Sequence, residues 1–165
     1  MSPNYVPADG YPYYHNLAKH INFDLLFTLG ATFSFLKTID ERKAAYRYAP
    51  NKWSIKQVLG HITDHERIKI HRAFLLSRKS KVELWGYDQV SLVAHSRFEA
   101  LSMQHMVSDF QNVRKASASF ANALSQEQLE LKGTAGPYTI SLKNFLRSII
   151  GHEMHHVAIL KEKYC

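Results

Sequence analysis

The chain contains a single cysteine, Cys165, at its last position, so it can form no internal disulfide and no cysteine-based zinc cluster. A reducing compartment, the cytoplasm, is the expected location. No uninterrupted apolar run reaches the roughly 18 residues that a membrane-spanning helix needs. The start, Met1-Ser2-Pro3-Asn4-Tyr5, lacks the basic residues and apolar stretch of an export signal. Neither membrane insertion nor export is expected. No segment repeats at a fixed period and none is of low complexity, which excludes solenoids and long linkers. What is present is 45% hydrophobic and 21% charged over 165 residues, a composition and length that suit one globular domain spanning residues 1–165.

Two residue classes are in excess. Lys and Arg number 21 against 14 Asp and Glu, a net charge of +7, which favours polyanions or small acidic ligands as partners. Histidine occurs 10 times, and imidazole is both an acid/base near neutrality and the commonest metal ligand.

Residues 1–14 hold three prolines and four tyrosines without periodicity and read as an extended leader outside the core. From Asn22, Leu26, Leu29, Phe33 and Leu36 step by three and four, predicting a first amphipathic helix to about Thr38, weakened by Gly30. Ser54 with Gln57 forms a capping box, and Trp53 with Val58 a hydrophobic staple, so a second helix starts there and runs to about Leu76. A long connection with the turn-like Trp85-Gly86-Tyr87-Asp88 follows. The third helix, with Met106, Phe110, Val113, Phe120 and Leu124 on its apolar face, starts at either Ser96 or Ser102. After the break at Gly133 to Pro137, Thr139 or Ser141 opens a last helix reaching Lys161 or beyond. With no convincing alternating strand run, these elements predict an all-α four-helix bundle with a long crossover connection between its second and third helices.

The last helix projects Leu142, Phe145, Leu146, Ile149 and Leu160 as one apolar stripe, with His152 and His156 in its middle. Four residues apart, these two histidines share a face and can converge on one ion, whereas His155 points elsewhere. A third ligand is available from the second helix, where His61 and His65 are also four apart; helical projection leaves the choice between them open. Three imidazoles would leave a coordination position open for chemistry. Asp64, Glu66 and Glu153 are candidate acceptors for the outer imidazole nitrogens. His152-Glu153-Met154-His155-His156 matches the His-Glu-x-x-His of zinc proteases, with Glu153 as base, but too little chain follows for their further ligand.

The segments Lys52-Trp53-Ser54-Ile55-Lys56-Gln57-Val58-Leu59-Gly60-His61-Ile62-Thr63-Asp64, Gly86-Tyr87-Asp88-Gln89 and Gly151-His152-Glu153-Met154-His155-His156 resemble the hallmark segments of the DinB/YfiT-like superfamily, in its order and spacing. The resemblance covers about Tyr14 to Tyr164. It implies a four-helix bundle holding a divalent metal, usually nickel or zinc, on three histidines, here His61, His152 and His156, and it is the resemblance that selects His61 over His65. Relatives of this kind include transferases using bacillithiol, mycothiol or glutathione, a maleylpyruvate isomerase, and proteins described as hydrolases; many are homodimers.

The function expected is therefore that of a metal-dependent enzyme, a thiol-dependent S-transferase or a hydrolase acting on a small electrophile. Arg67, Arg72, Arg114 and Arg147 are candidates for holding the carboxylates of an acidic thiol, and Trp85, Tyr87 and Phe98 for lining a cleft. The alternatives are a non-catalytic, metal-stabilised or regulatory dimeric bundle and a basic nucleic-acid-binding module resting on Arg78 to Lys81. No recognised DNA-binding motif supports the latter, so no nucleic-acid partner is expected.

Overall fold

The computed structural model describes residues 5–28, 30–80 and 86–165. Its helices are α1 (Tyr11–Ala18), α2 (Ala31–Leu36), α3 (Glu41–Ala44), α4 (Ile55–Ser77), α5 (Gln89–Ala94), α6 (Met103–Asn122), α7 (Gln126–Leu129) and α8 (Leu142–Ile159). Between α7 and α8 lie two short strands, β1 (Lys132–Ala135) and β2 (Tyr138–Ser141). A π turn at Leu160–Tyr164 extends α8. The architecture is mainly helical: α1 and α4 both pack on α8, and α6 packs on α4.

The long helices begin where their caps dictate. The Ser54 side chain accepts from Gln57 N while Gln57 reaches back to Ser54 N, starting α4. Ser102, not Ser96, caps α6, and Ser141, not Thr139, caps α8. Glu99 is occupied elsewhere, accepting from the Ser54 hydroxyl at 2.7 Å and from Arg47 at 2.7 Å.

Cross-links fix the helix directions. Moving along α4, Lys56 Nζ donates to Leu101 O, Arg67 reaches Asp109 and the Ser77 carbonyl accepts from Gln128. The partners advance together, so α4 and α6 are parallel and the chain between them is a crossover, as the sequence predicts. Along α8 the order reverses: the Tyr164 hydroxyl donates to Trp53 O, while Phe145 lies under Lys69, making α8 antiparallel to α4.

The bundle core is split. One apolar cluster gathers Ala73 and Leu76 of α4, Ala121 of α6 and Leu142 to Ile150 of α8. The other gathers Ile55 to Ile62 of α4, Met103 to Phe110 of α6, and Leu160. Between them each helix contributes buried polar residues: His65 and Glu66 from α4, Arg114 from α6, His152 and Glu153 from α8.

Three expectations are corrected. The leader is not extended up to Tyr14: Gly10, at φ +69°, turns the chain, and Pro12, whose fixed φ suits a helix start, opens α1, whose brevity hides its periodicity. The helix expected over Asn22 to Thr38 is broken into a 3₁₀ turn capped by the Asn22 side chain and the short α2, with Gly30 at its N-cap; Leu29 lies outside the described residues. The break at Gly133 to Pro137 is a hairpin, with Gly133 opposite Ile140 and Ala135 opposite Tyr138 around Gly136 at φ +58°. Its strands are too short to show an alternating pattern.

Gly151 lets α1 reach α8. A Cβ there would lie 1.8 Å from the Tyr14 carbonyl oxygen, a backbone atom that cannot swing aside. Gly151→Ala is therefore expected to displace α1 and to cost about 1–3 kcal/mol. In contrast, Gly30→Ala, whose Cβ would meet nothing within 4 Å, should change stability by no more than about 0.5 kcal/mol. Urea denaturation of the two variants checks the difference.

Candidate metal centre

The capping box at Ser54 sets the phase of α4, which places His61 and His65 on the face toward α8 one and two turns beyond the first apolar contacts at Ile55 and Val58. The apolar stripe of α8 turns His152 and His156 inward by the same logic. The result is a group of three histidines, His61, His152 and His156, whose ligand atoms all lie within 4.8 Å of one another. His61 Nε2 is 3.0 Å from His152 Nε2, and His156 Nε2 is 3.2 Å from the same atom.

Hydrogen bonding alone does not account well for this arrangement. A neutral imidazole nitrogen carries either a proton or a lone pair. If His152 Nε2 holds the proton it can serve one neighbour and not the other; if it holds the lone pair, both neighbours must donate to one in-plane acceptor. Three lone pairs directed at one cation remove the conflict, and nitrogens bound to a single zinc at 2.0–2.1 Å sit about 3.3 Å apart at tetrahedral angles. The donor set thus fits a divalent ion such as zinc or nickel.

Burial keeps these rings neutral. Desolvation pushes His61 down to about 4 and His156 down to about 3. His152 is held well below its ordinary value by burial, then by the neighbouring His65 and His156. In the metal-free protein these groups take up protons on unfolding whenever the pH is below about 6.5, the ordinary histidine value, and resist them while folded. Stability is therefore full above pH 6.5 and lost as the pH falls toward 4, by up to about 1.4 kcal/mol per pH unit for each such histidine. Urea denaturation of chelator-treated protein should show a loss of a few kcal/mol between pH 7 and pH 5; a flat profile would contradict the burial of neutral imidazoles.

His65 takes a different place. Its ring stacks on that of His152, with centroids 3.5 Å apart and planes 7° from parallel, and its Nδ1 pairs with the Tyr87 hydroxyl at 2.6 Å. It stands outside the three-histidine group. His152 Nδ1 is buried without a hydrogen-bond partner among the described residues, so this stacking, together with the edge of Tyr14 at 5.0 Å, orients the ring. Trp53 packs against His61 at 5.1 Å. His155 turns away, its Nδ1 3.1 Å from the Tyr13 hydroxyl.

The carboxylates expected to support the imidazoles engage arginines. Asp64 accepts from Arg67 at 3.2 Å. Glu66 and Glu153 converge on Arg114: its Nε and Nη2 donate to Glu66 at 2.8–3.2 Å, and Nη2 also donates to Glu153. All three side chains are buried, and the two carboxylates hold Arg114 well above its ordinary value against the opposing effect of desolvation. Arg114 is therefore not available to a ligand, and Glu153, committed to Arg114, is not placed as a protease-type base. Arg67 is shared between Asp64 and Asp109, and Arg147 donates to Asn144 at 3.3 Å. Arg72 lies over the Tyr87 ring, 6.0 Å from its centroid. Phe98 packs onto Gly60, where a Cβ would meet its ring at 2.4 Å, so it is part of the crossover packing. Trp85 and Lys81 lie outside the described residues.

Sequence reasoning misses Tyr14 and the pairing of Arg114 with Glu66. Tyr14 is hidden because its segment reads as a leader. No helix among the described residues is long and apolar enough to cross a membrane.

Comparison with known proteins places these features in a family. No curated protein matches the chain. Among solved structures, the chain is similar to that titled "YfiT from Bacillus subtilis is a probable metal-dependent hydrolase with an unusual four-helix bundle topology", with a TM-score of 0.71 at 14% identity, over 98% of this chain and 90% of that one. This likeness shows the fold. A family model of the DinB superfamily matches residues 25–160, most of the chain and both arms of the histidine group. The chain belongs to the DinB superfamily.

Proposed function

We propose that the protein is a metal-dependent enzyme whose centre is held by His61, His152 and His156. The observation that carries this reading is the convergence of three Nε2 atoms from two helices at contacts of 3.0 and 3.2 Å, those of the buried His61 and His152 and the half-buried His156. These three histidines would hold a divalent ion, which would supply Lewis acidity for activating a water or thiol. The chain's own residues do the rest. The stack of His65 on His152 and the packing of Trp53 on His61 keep the ligand rings oriented, and the low proton affinity of the site leaves their lone pairs free at neutral pH.

The reaction class in this reading is hydrolysis or thiol transfer on a small electrophile, with nickel or zinc as the ion and a low-molecular-weight thiol as the co-substrate of the transfer. The protein would work as a cytoplasmic homodimer without a nucleic-acid partner. These finer parts follow from the resemblance of the hallmark segments around His61 and His152. Cobalt titration of metal-stripped protein tests the centre: one cobalt per chain, with visible absorption bands and displacement by zinc, is the expected result. Hydrolysis of an activated ester, or bimane alkylation of a thiol, should then depend on the metal. Absence of stoichiometric cobalt binding would end this reading, and metal binding with a gain in melting temperature but no turnover would favour a non-catalytic, metal-stabilised bundle.

A further inference from the structure

The basic stretch that begins at Arg78 plays no part in the histidine centre. It starts just past Ser77, the end of α4, 12 residues beyond His65 and roughly 18 Å farther along the helix. There the chain closes in a Schellman turn: Lys79 N donates to Leu76 O at 2.9 Å and Ser80 N to Leu75 O at 3.1 Å. Arg78 N donates to Phe74 O at 3.3 Å, and Gln128 Nε2 to Ser77 O at 3.3 Å. The last four carbonyls of α4 are thus all met by N–H donors, without any ammonium group. The left-handed position of the turn, φ +57°, is held by Lys79, where glycine is the usual occupant. Two cavities share this lysine. The first, about 370 Å³, lies between the turn and β1 and is lined by Lys79, Ser80, Lys132 and Thr134, with Leu76 and Leu131 as its apolar residues. The second, about 350 Å³, also shares Leu131 and adds Arg78, Ser125 and Glu127.

We propose that these adjoining cavities bind a small phosphate monoester, its phosphate in the first and a polyhydroxylated body in the second. No carboxylate lines the first cavity, and its polar side chains are two ammonium groups and two hydroxyls, a donor set that suits an oxyanion. Among the described residues neither Lys79 nor Lys132 takes part in an ion pair. Because the helix end is already satisfied, its carbonyls do not engage these charges. A lysine in the left-handed position is then explained by the side chain, which lines both cavities, and not by the turn. The second cavity has a carboxylate, Glu127, which repels a second phosphate and accepts from hydroxyl groups. It also interrupts the run of positive charge that a nucleic-acid backbone needs. Arg78 is drawn aside, its Cζ 5.4 Å from the centroid of the Phe74 ring. Each cavity has the size of a small-molecule site. The site lies apart from the histidines and does not depend on a metal there.

The test is calorimetric titration at low ionic strength with glucose 6-phosphate, glucose and pyrophosphate. Glucose 6-phosphate should bind at least ten times more tightly than glucose and at least as tightly as the more highly charged pyrophosphate, which a merely basic surface would prefer. Lys79→Gly and Lys132→Gln should each weaken it at least fivefold. Lys79→Gly, which places the favoured residue in the turn, should at the same time keep or raise the melting temperature, so its loss of binding is not a loss of fold. Lys115→Gln, which removes an exposed charge on α6, should change nothing. Equal binding of glucose and its phosphate, a preference for pyrophosphate, unchanged affinity in both lysine variants, or an equal loss in Lys115→Gln would overturn the proposal. A mixed-sequence DNA oligonucleotide that binds more tightly than glucose 6-phosphate and is displaced by it would make this face a nucleic-acid contact and overturn it as well.

Discussion

His152→Ala is expected to weaken metal binding on the order of a hundredfold or more, since one of three imidazoles is lost; a hundredfold is about 2.7 kcal/mol. His152 is the ring that both other members of the group approach, at 3.0 and 3.2 Å, so its removal separates His61 from His156. His155→Ala, on the same helix and bonded to Tyr13, should retain the ion in full. Cobalt titration of the two variants distinguishes loss of a ligand from general damage to α8. If His152→Ala bound one ion per chain as tightly as the parent, the site would have to lie elsewhere.

Arg114→Met should be the most destabilising single substitution in the bundle, costing about 3–5 kcal/mol. Arg114 joins α6 to Glu66 of α4 and Glu153 of α8, and all three are buried. Without the guanidinium, two carboxylates would remain in the interior with no counter-charge. The arginine also lies among Phe27, Phe33 and Phe110, with Cζ 5.8, 5.8 and 5.0 Å from their ring centroids. These π faces surround a cation whose Nη1 has no hydrogen-bond partner among the described residues. Neutralising the carboxylates in the same background, Glu66→Gln with Glu153→Gln, should recover part of the loss. Urea denaturation of the single and triple variants measures both effects. An Arg114→Met protein as stable as the parent would show that the three-residue ion cluster contributes little.

The parts of this molecule legible in the sequence are those set by neighbours along the chain. The Ser54 capping box, the stripe from Leu142 to Ile149 and the two His-x-x-x-His pairs depend only on helical spacing, so the start of α4 and the inward face of α8 follow from them directly. The crossover is signalled by the length of chain between α4 and α6. Where the sequence misled, the deciding partner lay far away. Arg114 reads as a candidate for holding an acidic ligand because Glu66 and Glu153, which engage it, are 48 and 39 residues distant. Tyr11 to Tyr14 read as leader because the packing surface of α1 is α8, more than a hundred residues later. Helical spacing does not separate His61 from His65; the resemblance selects His61, and in the structure His61 approaches His152 while His65 pairs with Tyr87. The same reasoning explains Asp64 and Glu153: proximity in sequence to a histidine put them forward, and the nearest guanidinium claimed them.

The polar layer that divides the core has a consequence for alignment. In α4 and α6 the buried apolar residues on one side of that layer belong to one cluster and those on the other side to the second, and the stripe of α8 in the first cluster is followed past the layer by Leu160 in the second. Sliding any one helix along its neighbours by a single turn, about 5.4 Å, would drive a histidine, glutamate or arginine into hydrocarbon and leave its former partners bare. The apolar faces, being greasy on both sides, would tolerate such a slip far better. The charged layer acts as an indexing pin for the helices, and it is this pin that brings His61 and His152, 91 residues apart, to the same height.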